Sequence, residues 1–65
     1  MGLAVKLEIG CLYLFESTAD RYCIVLVDEL DSDGKGVLNA FDKAWLYFVD
    51  WTPIGRIPLH PIESA

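Results

Sequence analysis

Two cysteines, one histidine and a run of carboxylates are the side chains here whose types suggest chemistry. Cys11 and Cys23 lie twelve positions apart, and His60 stands between Leu59 and Pro61. A thiol or hydroxyl nucleophile needs a base within hydrogen-bond reach. No such group neighbours His60, so a dyad would require the fold to bring it to Cys11 or Cys23; otherwise the histidine caps a turn. One histidine and two cysteines, with no C-x-x-C pair, do not complete a zinc site. The acidic group Asp28, Glu29, Asp31 and Asp33 invites a calcium loop. With Glu29, Asp31, Asp33 and Gly34 at loop positions one, three, five and six, the twelfth position is Ala40, where a bidentate glutamate is required. A solvated, charged turn is the simpler reading. Asp42 and Asp50 flank an aromatic stretch, and nothing in their spacing joins them for acid–base work. The expectation is a protein that is not an enzyme, with no catalytic residue, no cofactor and no metal.

The aromatic residues make a better case. Tyr13, Phe15, Tyr22, Trp45, Tyr47 and Trp51 are large side chains with few rotors, the kind that dominate binding hot spots when exposed. They are also what a small core is filled with. One tryptophan of Trp45 and Trp51 is expected inside and the other at the surface.

Size decides what these residues can be asked to do. The chain has 65 residues, one domain near the lower limit for independent folding. A core of that size supplies no more than ~3–5 kcal/mol of net stability. The cysteines are too few for a disulfide scaffold and sit in apolar runs, so they read as buried free thiols of a cytoplasmic protein. Hydrophobic residues make up 54% of the chain and the mean hydropathy is +0.36. So much apolar surface calls for a protein partner or a homo-oligomer. A net charge of −5, with scattered basic residues, excludes the electrostatic footprint of nucleic-acid binding. The longest uncharged run, 9–15, is far short of the ~20 residues that span a bilayer, so no membrane association is expected. The opening MGLAVKLE has no basic region followed by an apolar run, so no secretory signal is expected, and Lys6 stands where a myristoylation signal wants Ser or Thr.

The elements follow from patterning. Residues 1–8 alternate weakly and suggest an extended arm or first strand. CLYLF (11–15) reads as a strand apolar on both faces, and ESTADR (16–21) as a turn. YCIVLVDEL (22–30) is the clearest strand, its β-branched residues disfavouring helix; it pairs with 11–15 as a hairpin. DSDGKG (31–36) is the clearest turn. Residues 37–51 admit two readings. As strands they are VLNAF, a turn at Asp42–Ala44, and WLYFVDW, with Trp45, Tyr47, Val49 and Trp51 on one face. As a helix over 40–51, Phe41, Ala44, Trp45, Phe48 and Val49 form a stripe with Asn39 as N-cap. The aromatic and β-branched content favours strands, although a turn without glycine is poor hairpin chemistry. TPIG (52–55) has turn residues, and Pro58 and Pro61 restrict the remainder to an edge. Short strands at this spacing predict an all-β fold, a small five-stranded barrel; the alternative is α+β.

In this order the landmarks resemble those of Src-homology-3 (SH3) domains over nearly the whole chain. GRIPLHPIE is similar to that family's last segment, Trp45 lies thirteen residues before Pro58, and CLYLF looks like its ALYDY stretch. The resemblance implies a single SH3-like barrel over 1–65, and a proline-rich-peptide platform whose counterparts here are Tyr13, Phe15, Trp45 and Pro58. Leu14 replaces that family's Asp, Pro61 its stacking Tyr, and six residues its long acidic loop. The chain is also similar in plan to short barrel proteins of bacteriophages, with their G-x-L-Y and V-L-V-D-E strands and I-P-L-x-x-I-E ending. That likeness implies a phage accessory or virion component, found in the host cytoplasm or the particle. Tyr13, Phe15, Trp45, Tyr47, Trp51 and Pro58 are thus the expected partner-binding residues, in an interaction or structural module or, alternatively, an adaptor for proline-rich peptides using Tyr13, Trp45 and Pro58.

Overall fold

A computed structural model describes residues 5–58. Five antiparallel strands run along this span: β1 (Leu12–Ser17), β2 (Tyr22–Leu30), β3 (Gly36–Asn39), β4 (Ala44–Tyr47) and β5 (Trp51–Ile57). Their order in the sheet is β4-β3-β2-β1-β5. There is no helix among the described residues, so the α+β alternative over 40–51 is set aside. The sheet is open: β4 and β5 form its two edges, and the closure expected of a barrel is absent from the strand pairing.

The long strand β2 organises the sheet because both halves pair with it. Its first half pairs with β1 in the register Tyr13↔Val25 and Phe15↔Cys23, as the hairpin reading required. Its second half pairs with β3 from Val27 onward, and a bulge between Val27 and Glu29 interrupts that second ladder. A bulge bends and twists a strand, so β2, one continuous strand serving both ladders, bends within its pairing with β3. Period-two alternation then sends Tyr13, Phe15, Val25 and Val27 to the inner side, where Val37 and Leu46 join them in a fully covered core. Val5, Leu7, Cys11, Cys23, Phe48 and Trp51 pack around that cluster.

Three turns differ in chemistry. Between β1 and β2, Ser17 Oγ accepts hydrogen bonds from the amides of Ala19 and Arg21 at 3.1 and 3.0 Å, and Asp20 takes a left-handed φ of 59°. Between β2 and β3, Gly34 supplies positive φ (70°) and its amide donates to the Asp31 carbonyl. Between β3 and β4, Lys43 occupies the left-handed region at φ 56°, a conformation that disfavours any side chain with a Cβ. The missing glycine is offset by two bonds: Lys43 N donates to the Asn39 carbonyl at 2.9 Å and Ala44 N to Asp42 Oδ1 at 3.2 Å.

Several local expectations are corrected. CLYLF is not covered on both faces: Tyr13 and Phe15 are buried, whereas Leu12 and Leu14 are half-buried. WLYFVDW is not one strand. A turn at 48–50 divides it, because β4 and β5 belong to opposite edges and the chain must leave one ladder and enter another. Phe48 N donates to the Lys35 carbonyl at 2.8 Å and Thr18 N to the Asp50 carbonyl at 3.0 Å, pinning both ends of the crossing. TPIG is not a turn but the middle of β5. Pro53 faces Phe15 beside a register shift on an edge strand, a place in a sheet where proline is tolerated. Residues 5–8 form no strand. The rest of the 1–8 arm, and the segment with His60 and Pro61, lie outside the described residues.

Candidate functional site

The six residues expected to bind a partner separate into two sets. Tyr13 and Phe15 have no exposed surface and build the core. The Tyr13 hydroxyl accepts a hydrogen bond from the Glu8 amide at 2.8 Å, tying the lead-in segment over the core. Trp51 is half-buried against the core, opposite Ser17. Trp45 and Tyr47 are exposed, at 38% and 48%, and the exposed Pro58 follows β5. One tryptophan therefore faces inward and the other outward.

The register places Trp45 opposite Leu38 and Tyr47 opposite Gly36. Both aromatic rings thus project from the outer side of the β3–β4 hairpin, while Leu46 between them points into the core. Gly36 makes this arrangement possible. A Cβ there would meet the Leu46 carbonyl oxygen at 2.5 Å and the Tyr47 ring at 3.0 Å, so the two strands approach more closely than a side chain allows.

A second outer surface lies on the other half of the sheet. The pairs Leu12↔Leu26, Leu14↔Ile24 and Glu16↔Tyr22 share one side of β1 and β2, and β5 extends it with Leu12↔Ile57, Leu14↔Gly55 and Glu16↔Thr52. Ile24 and Tyr22 are exposed at 52% and 61%, and their aliphatic neighbours are half-buried. Glu16 is the one charged residue at these positions. Its Oε2 accepts a hydrogen bond from the Tyr22 hydroxyl at 2.9 Å. That bond, with the carboxylate's charge, holds the Tyr22 phenol above the ordinary tyrosine value. This surface was missing from the aromatic-led reading. The signal for it was the unbroken apolar character of LYLF and CIVLV, which puts apolar side chains on both faces of the hairpin.

Among the described residues, those of chemical type do not assemble into a centre. Burial, and secondarily the charge of Asp42, pushes the Cys23 thiol up, the direction opposite to that of an activated nucleophile. Both cysteines are free and half-buried. Among the described residues no three side chains of His, Cys, Asp or Glu converge as a metal site. The carboxylates of the 28–33 group are exposed or half-exposed around the β2–β3 turn. Lys43 reaches Asp28 at 3.4 Å and Arg56 reaches Glu8 at 3.9 Å, solvated pairs that contribute little.

Comparisons of the chain with protein-family models, with curated proteins and with solved structures found no match.

Proposed function

We propose that this chain is a non-enzymatic protein-interaction or structural module built on an SH3-like barrel. The observation that carries the reading is the outer side of the sheet, which is apolar on both halves: Ile24 and Tyr22 on one, Trp45 and Tyr47 on the other. Isolated exposed apolar residues are ordinary; contiguous ones mark contact surfaces. Three features support the barrel: the strand order, the sharing of a bulged β2 between two ladders, and a three-residue crossing from β4 to β5. Assembly within a phage particle, or in the host cytoplasm, is the setting that the phage likeness implies.

The peptide-adaptor alternative has less behind it. Of its three residues, Trp45 and Pro58 are exposed, but Tyr13 is in the core with its hydroxyl bonded. A proline-rich ligand would therefore have Tyr47 as the aromatic neighbour of Trp45. Titration with proline-rich peptides, followed by tryptophan fluorescence, separates the readings: the module reading expects no saturable change. For the module itself the measurement is binding by the wild-type chain against Trp45→Ser/Tyr47→Ser and Ile24→Glu variants. A folded wild-type chain that is monomeric at every concentration, and retains no protein from its native lysate, overturns it.

A further inference from the structure

We infer that the outer side of the β3–β4 hairpin, with the end of β2 beside it, docks a basic segment of a partner protein. An arginine of that segment lies over the Trp45 and Tyr47 rings with its guanidinium toward Glu29 and Asp31. The inference rests on the module reading and names the chemistry of the partner. Register assembles the surface in two rows. Glu29 pairs with Leu38 and Leu38 with Trp45, so an acid, a half-buried aliphatic floor and an indole share one side of three adjacent strands. In the next row Gly36 pairs with Tyr47. Asp31 lies beside Gly36, its amide donating to the Gly36 carbonyl at 3.0 Å.

Two observations select the occupant. The first is the posture of the aromatic pair. Both rings are exposed. A Cβ on Gly36 would come within 3.0 Å of Tyr47 Cδ1, so the phenol ring takes the space over Gly36 that a side chain would fill. The second is charge. Between Asp28 and Asp50 the chain has six carboxylates against two lysines, a difference of −4 within its net −5. The acidity is therefore concentrated on the half of the sheet that carries the rings. Lys43 pairs with Asp28, and one Asp31 oxygen accepts from the Asp33 amide at 3.4 Å. Glu29 is exposed and enters neither ion pair of the described residues.

Exposed carboxylates repel an anionic ligand and a second acidic copy alike, and attract a cation. The rings narrow the choice of cation. An aromatic face attracts a cation within about 6 Å of its centre, and arginine fills that place more often than lysine. Its planar guanidinium stacks on a ring while its edge N–H groups are offered to a carboxylate. Glu29 and Trp45 stand two strands apart, about 10 Å between backbones. An arginine lying across Leu38 spans that gap, its methylene stem covering the aliphatic floor. A proline-rich segment would use the rings and leave the carboxylates idle.

The probe is a capped peptide of alternating arginine and glycine, set against the same peptide with citrulline, the neutral isostere, in place of arginine. Titration calorimetry follows binding to four chains: wild type, Glu29→Gln, Trp45→Ser/Tyr47→Ser and Asp20→Asn. Asp20, exposed in the β1–β2 turn at the opposite end of β2, is the control. Its replacement removes the same charge far from the rings, and its φ of 59° suits asparagine. The expected result is saturable binding by the wild type that weakens as salt rises, with the citrulline peptide at least about 10-fold weaker. Asp20→Asn matches the wild type, Glu29→Gln binds about 2–5-fold more weakly, and Trp45→Ser/Tyr47→Ser at least about 5-fold more weakly. Circular dichroism identical to wild type certifies that the variants are folded. Should a variant unfold, amide shifts of the wild type during titration replace it: shifts centred on Glu29, Gly36, Leu38 and Trp45–Tyr47 support the site. Equal binding of the two peptides, an equal loss in Asp20→Asn and Glu29→Gln, or shifts centred on β1 and β5, overturns it. A wild type that does not bind the arginine peptide also overturns it. In that case, a lysate protein retained by the wild type and lost by Trp45→Ser/Tyr47→Ser leaves the module reading standing, and retention of none by a monomeric chain removes both.

Discussion

Asn39 is the one buried polar residue among those described, 4% exposed, and its replacement by alanine tests how the two ladders are joined. The side chain lies where β2 passes from β1 to β3. Its Oδ1 accepts from the amides of Leu26 and Phe41, both at 3.2 Å, and its Nδ2 donates to the Ile24 carbonyl at 3.5 Å. It thus adds side-chain bonds to the stretch of β2 just beyond its pairing with β3, where the Ala40 amide also donates to the Leu26 carbonyl at 2.8 Å. In Asn39→Ala the Phe41 amide is rehydrated, since that residue is exposed. The Leu26 amide is part-buried and loses its acceptor, a loss of about 1–3 kcal/mol. The Ile24 contact is long, and the Phe41 bond adds about 0.5–1.5 kcal/mol. Summed, the two give about 1.5–4.5 kcal/mol, comparable with the ~3–5 kcal/mol available to a domain this small. The melting temperature should fall by at least about 6 °C, at ~4–8 °C per kcal/mol for a domain of this length. Urea unfolding followed by tryptophan fluorescence should give a lower midpoint with an unchanged slope. A variant melting within a few degrees of wild type would falsify the claim that Asn39 bridges the ladders.

Other consequences can be measured on the same footing. Gly36→Ala should destabilise by about 1–3 kcal/mol, as overpacking does, since the new methyl meets the Leu46 carbonyl at 2.5 Å; urea midpoints report it, and a neutral result removes the close approach of β3 and β4. Lys43→Gly should stabilise by about 0.5–1 kcal/mol by relieving the left-handed φ, with only an exposed ion pair lost; a lower melting temperature would contradict this. Tyr13→Phe should cost about 1 kcal/mol and speed hydrogen exchange at the Glu8 amide, whose acceptor it removes. In a spectrophotometric titration, Tyr22 should lose its proton above the ordinary value of 10.0, and Glu16→Gln should bring it down. Because folding raises that value, the Tyr22–Glu16 contribution is present below pH 10 and is lost as pH rises through the folded-state value. Cys23 should react with thiol reagents more slowly than an unperturbed thiol, and Asp42→Asn should speed it only in part, since burial is the larger cause.

Much of the architecture was legible in the chain because it is local. The β-branched run 22–30 could be little but a strand, and β2 has those bounds. The Asp/Gly-rich 31–36 could be little but a turn, and only Gly36 passes from it into β3. The all-β class, with one tryptophan turned inward and the other outward, followed from the same residues. Tertiary structure decided what depends on partners distant in sequence. Whether 45–51 is one strand or two is set by β4 pairing with β3 and β5 with β1, and a window of seven residues carries no trace of either neighbour. Pro53 reads as a turn residue locally and becomes a strand residue because its side of β5 is an edge. Asn39 reads as a helix cap and becomes a bridge between ladders because β2 bends beside it. The candidate surface follows the same rule. Alternation in Leu12–Phe15 says that two sets of side chains oppose each other, but the sequence cannot tell which set is covered. Packing made that choice, placing Tyr13 and Phe15 inside and leaving Leu12 and Leu14 half-buried on the other face of the sheet.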